Sequence, residues 1–199
     1  MNAIFKEEEK TFVPEDATIS LDSINPDRIP EAYYGILSKT YKEITRRLNS
    51  EFESVRTFHE QMTCNIIKSY TKIQIYNQVW IGSRCFDIFI PSVRGLSPVK
   101  ARGLAIEVDG PVHDTVAKMK KDTAKDKLAE SLGIMVHSLP NHEVLDSVSS
   151  NFLLHIKDMP RLSYREYRRL WAKIHLKTIE LKGNKQEKDK IISIIKELR

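Results

Sequence analysis

Residues 103–113 read Gly-Leu-Ala-Ile-Glu-Val-Asp-Gly-Pro-Val-His, so two carboxylates and an imidazole follow directly on an apolar run. Leu104, Ala105 and Ile106 suit a fully buried strand. Alternate strand residues share a face, which sends Glu107 and Asp109 out together while Ile106 and Val108 pack on the other side. Two acids side by side on a buried strand repel. Desolvating even one costs roughly several kcal/mol unless a cation or a good partner stands beside it. A divalent metal ion accounts for the pair. A third acid, Asp87, sits in a similar apolar run, Cys-Phe-Asp-Ile-Phe-Ile, and His113 is separated from the acidic strand by a Gly-Pro-Val turn that can return its ring to the same strand end.

These residues need a sheet to hold them. Residues 71–81, rich in Ile, Tyr, Val and Trp, read as a strand; Gly82-Ser83 supplies a turn; residues 85–90 form a second strand, limited by Pro91. Residues 92–102 hold Gly95, Pro98 and Lys100 and read as a loop before the third strand, 104–109. Residues 116–132 predict a helix with a buried stripe of Ala124, Leu128 and Leu132, ended by Gly133, and 134–139 a further strand. Strand, helix, strand in this order implies a parallel crossover.

Flanking this core, Leu37, Tyr41, Ile44 and Leu48, then Phe52, Val55, His59 and Met62, recur at helical spacing, with Asn49-Ser50 as a possible division and Ser50 with Glu53 as a capping box. Residues 142–159 read as one helix ended by Pro160. Ser163 with Glu166 makes a second capping box, opening a helix through Trp171 and Ile174, and Gly183-Asn184 separates it from a last helix carrying Ile191, Ile194 and Ile195. The expected organisation is an acidic mobile arm (1–30), N-terminal helices (31–65), an α/β core (66–144) and a basic helical extension (145–199).

The chain has 199 residues, 41% of them hydrophobic, enough for one core with helical additions. Its net charge of +5 conceals an asymmetry. Residues 1–31 are acidic by about five charges and residues 161–199 basic by about seven, which marks the basic end for an anionic partner. Two cysteines are too few for a disulfide framework, and no apolar run approaches the ~20 residues of a membrane span. Glu7, Glu8 and Glu9 stand where a secretory leader would be basic and then apolar, so an intracellular, cytoplasmic protein is expected. There is no zinc-ligand set, Gly-rich phosphate loop or Gly-x-Ser-x-Gly turn.

The ordered set, Asp87 in its strand, Glu107-Val-Asp109-Gly-Pro-Val-His113, then Asp122, Lys125 and Leu128 before Gly133-Ile-Met-Val, resembles the PD-(D/E)XK nuclease superfamily. Within it the pattern is most similar to the branch of very-short-patch-repair endonucleases, and also to the RAP domains of organellar RNA proteins. The resemblance covers about residues 70–144 and implies a restriction-endonuclease-like mixed sheet and a metal-dependent phosphodiester hydrolase. Asp87 and Glu107 would hold Mg²⁺, with Mn²⁺ as a substitute, helped by the Val108 carbonyl, since hard cations prefer oxygen ligands. Asp109 and His113 would serve the chemistry, His113 by moving a proton or orienting water. The family often carries Lys two places after the Glu; here Asp109 stands there, and Lys125 would supply the cation from the helix. Ser138 stands where some relatives have arginine.

Each residue also has an ordinary explanation. Asp87 can be a strand-end acid, Asp109 can shape a turn through its side chain, His113 can be a loop histidine, and Lys125 can pair with Asp122 in solvent. Arg165, Arg168, Arg169 and Lys173, interleaved with Tyr164, Tyr167 and Trp171, suit contact with a nucleic-acid backbone. They also suit a solvated face over a core of Tyr167, Leu170, Trp171 and Ile174. The partner implied is DNA, with RNA as the alternative, either cleaved or only bound; a catalytically silent module of the same fold is the third possibility, and a homodimer is compatible with all of them.

Overall fold

β-Branched and aromatic residues between 76 and 109 pair as the first three strands of a sheet. A computed structural model describes residues 20–51, 56–94, 102–110, 116–149 and 152–197. Strand β1 is Tyr76–Ile81, β2 is Arg84–Arg94, β3 is Arg102–Asp109 and β4 is Met135–Pro140. Among the described residues the sheet has the order β1-β2-β3-β4, with the first two pairings antiparallel and β3 parallel to β4. Gly82, at φ +61°, makes the β1–β2 turn; its N–H donates to Thr178 Oγ1 at 2.9 Å, and a Cβ there would lie 3.0 Å from Leu128.

The helices are α1 (Glu31–Glu51), α2 (Phe58–Thr71), α3 (Val116–Ser131), α4 (Val144–Ser149), α5 (Phe152–Asp158), α6 (Tyr164–Lys182) and α7 (Lys185–Lys196). The expected parallel crossover is α3, ended by Gly133 at φ +76°, where the Ile134 N–H reaches back to the Ala129 carbonyl at 2.9 Å. Alternation along β3 separates two cores. Leu104, Ile106 and Val108 pack with Cys64 and Ile67 of α2, Val144 of α4 and Ile156 of α5. On the other face Ala105, Phe86 and Phe89 meet Ala129 of α3, Tyr41 of α1, and Leu170 and Ile174 of α6. A third cluster joins Leu21, Leu37, Ile44, Leu176, Ile179 and Ile191. Residues 20–30 therefore do not hang free: 3-10 turns at Leu21–Ser23 and Pro26–Arg28 seat Leu21 and Pro26 in buried positions. Residues 1–19 lie outside the described residues.

Several local expectations differ from the fold. The run 71–81 is not one strand, because α2 continues to Thr71 and ends on Lys72 in the left-handed region, φ 49°. Pro91 does not end β2. The β2–β3 register shifts between Ile90 and Arg94, so the missing N–H falls in an irregular stretch, while Arg94 N–H and Leu162 N–H bond the Pro160 and Ser92 carbonyls on the strand's other side. Ser50 does not cap a helix; it lies inside α1, donating to the Arg47 carbonyl, and Thr57 caps α2 with Glu60. Of the expected α3 stripe, Leu128 and Leu132 are half-buried while Ala124 is exposed, and among the residues of α3 whose side chains are described it is Ala129 that is fully buried. Residues 142–159 break into two short helices, leaving Leu145 in solvent. The expected capping box at Ser163–Glu166 forms, and the structure adds another at Asn184–Glu187, where the sequence predicts only a break between helices. Among the described residues no helix is long and apolar enough to cross a membrane.

Candidate active site

The β2–β3 ladder pairs Ile90 with Leu104, Phe89 with Ala105 and Ile88 with Ile106. One step further the same register sets Asp87 opposite Glu107. There the regular backbone pairing stops, and the Val108 N–H donates instead to Asp87 Oδ2 at 2.9 Å. The opening between the strands is thus held by a carboxylate. On its other edge β3 stays paired to β4 as far as Asp109–Pro140, which keeps the Glu107 backbone rigid.

A helix approaches this opening from each side of the sheet. From α3, Lys125 extends its stem along Phe86, with the ammonium 4.6 Å from the ring centre, and hydrogen-bonds Glu107 Oε2. Both side chains are largely shielded, at 17% and 16% exposure. From α2 comes Glu60, buried, with its Oε1 accepting from the Thr57 hydroxyl at 3.2 Å. Gln78 of β1 stands between: its Nε2 donates to Glu60 Oε2 at 3.1 Å and more distantly to Asp87 Oδ1 at 3.5 Å. Its Oε1 accepts from the Cys85 thiol at 3.4 Å.

Burial dominates the electrostatics. The Glu107 carboxyl is pushed up to about 8; Lys125 pulls it down, whereas Asp87 and Asp109 push it further up. Asp87 is raised by burial and by Asp109, against the pull of the Val108 N–H and Lys125. Glu60 is raised by burial and by Asp87, against its hydrogen bonds to Thr57 and Gln78. Burial also holds the Cys85 thiol protonated, pushed up to about 12. Three carboxyl groups around one opening thus resist ionisation, chiefly because burial removes their water and secondly because they repel one another.

Of the residues singled out from sequence, Asp87, Glu107 and Lys125 are brought together, and half-buried Asp109 acts on both other acids through its charge. His113 lies outside the described residues. The C-terminal basic residues are elsewhere: α6 begins beside residues 92–94, about 17 Å along β2 from Asp87 at the usual strand rise. Arg168 pairs with Glu31 at 2.6 Å between the rings of Tyr34 and Tyr164, and Arg169 pairs with Asp27 at 3.1 Å. Lys173 is half-buried and its pKa is lowered by burial and by Arg169 and Arg102. Arg165 is exposed. Glu60 was missed, although its signal is present: Glu60, Cys64 and Ile67 fall at i, i+4, i+7, which puts the acid on the buried stripe of α2.

Among the described residues Glu107 Oε1 is buried with no hydrogen-bond partner, and a hard cation is the kind of group that would complete it. Among the described residues no three His, Cys, Asp or Glu side chains converge closely enough to enclose a metal ion by themselves. That suits Mg²⁺, which commonly takes one or two carboxylates and completes its shell with water and phosphate oxygens. The arrangement can therefore hold a divalent cation between Asp87 and Glu107, or move a proton at Glu107, whose raised pKa lies near neutrality. Compared with family models, with curated proteins and with solved structures, the chain matches none.

Proposed function

We propose that the chain is a divalent-cation-dependent endonuclease with a restriction-endonuclease-like core of the PD-(D/E)XK type, hydrolysing phosphodiester bonds in DNA. The observation that carries this is Asp87 opposite Glu107 where β2 and β3 part, with Lys125 on Glu107 Oε2 and Glu107 Oε1 buried and unpartnered among the described residues. Asp87, Glu107 and the Val108 carbonyl would hold Mg²⁺ or Mn²⁺. When bound, the cation would supply charge against the phosphate oxygens and make water more acidic. The Val108 N–H fixes Asp87 from behind, so that carboxylate needs no rearrangement to bind. Lys125, released from Glu107, would face a phosphate oxygen as a point charge. Asp109 keeps the site negative.

The test is incubation of the full chain with supercoiled and linear duplex DNA, single-stranded DNA and RNA, with Mg²⁺, Mn²⁺ or a chelator. Cleavage of duplex DNA only with the cation is the expected result. Cleavage of RNA alone would replace DNA with an RNA substrate in the manner of RAP domains. Binding without any cleavage would leave the silent module, which the Lys125–Glu107 pair also favours, since an ammonium already occupies one acid.

The ion pairs at the start of α6 change what is expected of its arginines. Arg169→Ala removes a partly exposed pair with Asp27 and is expected to destabilise by up to about 1 kcal/mol, loosening residues 20–30. Its effect on the log–log salt slope of DNA binding should fall well short of the roughly one unit of a lost phosphate contact, whereas Arg165→Ala should approach it. Equal slope changes in both variants would show that the arginine leaves Asp27 for the nucleic acid.

A further inference from the structure

Gln78 has φ +51°, a left-handed backbone that residues with a Cβ adopt at a cost. The other non-glycine residue in that region among those described, Lys72, ends a helix, where such a conformation is routine. Gln78 ends nothing. Asn77 and Val79 on either side are paired to Ile88 and Phe86, so the strand continues through it. The local twist sends the Asn77 side chain toward α2, where its Oδ1 accepts from the Cys64 thiol at 2.7 Å, and Val79 into the opposite core. Gln78 itself falls opposite Asp87 in the register.

Both ends of its amide are in use. The NH₂ group donates to Glu60 and Asp87, and the carbonyl accepts from Cys85. With the Cys85 thiol donating to the amide oxygen, the amide presents hydrogens, not lone pairs, to the two acids. A neutral donor with two hydrogens is suited to keeping two repelling carboxylates close without cancelling the charge that would draw a cation. A strained backbone at such a place points to function.

We infer that Gln78 is a positioning residue of the acid site: delivered by its left-handed backbone, its amide holds Glu60 and Asp87 together and thereby sets the affinity of the site for a divalent cation. The inference rests on the reading of Asp87 and Glu107 as cation ligands. Its test measures binding, not cleavage: Mn²⁺ titration of the full chain followed by electron paramagnetic resonance, with Mg²⁺ by calorimetry, alongside thermal melting. Gln78→Met keeps length and removes the donors. It should bind Mn²⁺ about 10- to 100-fold more weakly, the usual effect of losing a group that orients a metal ligand. Gln78→Gly also removes the donors but relieves the backbone, so it should lose affinity equally while melting at or above the wild-type temperature. That separation is what a merely structural glutamine would not produce. Wild-type affinity in either variant, or a Gly variant melting well below wild type, overturns the inference alone; a wild-type chain that binds neither cation overturns both it and the reading beneath it.

Discussion

Glu107→Gln is expected to abolish cation-dependent cleavage while leaving the fold and nucleic-acid binding in place. The substitution keeps the side chain's size and its contact with Lys125 but removes the charge that Asp87 alone cannot replace. Cation stabilisation of a phosphoryl transition state is worth several kcal/mol, so losing a ligand should slow single-turnover hydrolysis by about 10³-fold or more. Asp87→Ala should do the same and in addition free the Val108 N–H where β2 and β3 separate. Single-turnover rates with saturating Mg²⁺, beside a binding titration in Ca²⁺ or chelator, separate chemistry from grip. Retained cleavage in the Gln variant would make Glu107 a structural acid and remove the centre of the proposed site.

The second large effect concerns stability and pH. Glu107 is pushed from its ordinary 4.5 up to about 8 by burial, so the folded protein retains a proton that the unfolded chain has released between those values. The stability from that protonated form is complete below about pH 4.5 and is lost as the pH rises through 8, a loss of about 3–5 kcal/mol by linkage. Asp87 and Glu60, also raised, act in the same direction. His175, buried against Tyr41 and lowered to about 3, acts oppositely: its contribution is present above 6.5 and lost as the pH falls toward 3. The cation-free protein should therefore be most stable around pH 4.5–6.5, declining on the alkaline side through its acids and on the acidic side through His175. Glu107→Gln should flatten the alkaline limb and melt above wild type at pH 9. Added Mg²⁺ should restore the wild type there and leave the variant unmoved, since only the wild-type site gains binding energy from the cation. Denaturant melts across pH 3–9 measure all of this. An alkaline limb unchanged in the variant would mean that Glu107 ionises freely in the fold.

Local rules carried the sequence reading far along the backbone. The period of two in 104–109 separated Glu107 and Asp109 from Ile106 and Val108, and the structure keeps that separation. Ser163 and Glu166, three residues apart, cap α6 because the bonds they make span one helical turn. Gly133 ends α3 because a left-handed residue is needed within two positions of the last turn. Local rules failed where two were in competition: β-rich composition hid the end of α2 at Thr71, and the missing N–H of Pro91 was absorbed by a register shift that only the neighbouring strands determine.

The candidate site itself was half local. The acids on β3 and the Asp87 strand follow from chain order, but their meeting depends on the antiparallel register between β2 and β3. Lys125 reaches Glu107 across 18 residues, Gln78 reaches Glu60 across 18, and Arg168 and Arg169 find Glu31 and Asp27 more than a hundred residues away. Periodicity states which face of a helix turns inward; it does not state which strand that face meets, or at what height along it. That height is settled by side-chain volumes closing two cores at once. It decided that α3 brings its lysine to the acids and that the first described segment takes the arginines which composition had assigned to a partner. Gln78 lies beyond any local rule, because nothing in Asn77-Gln78-Val79 asks for a left-handed residue; only the packing of α2 against β1 and β2 supplies the contacts that hold it there.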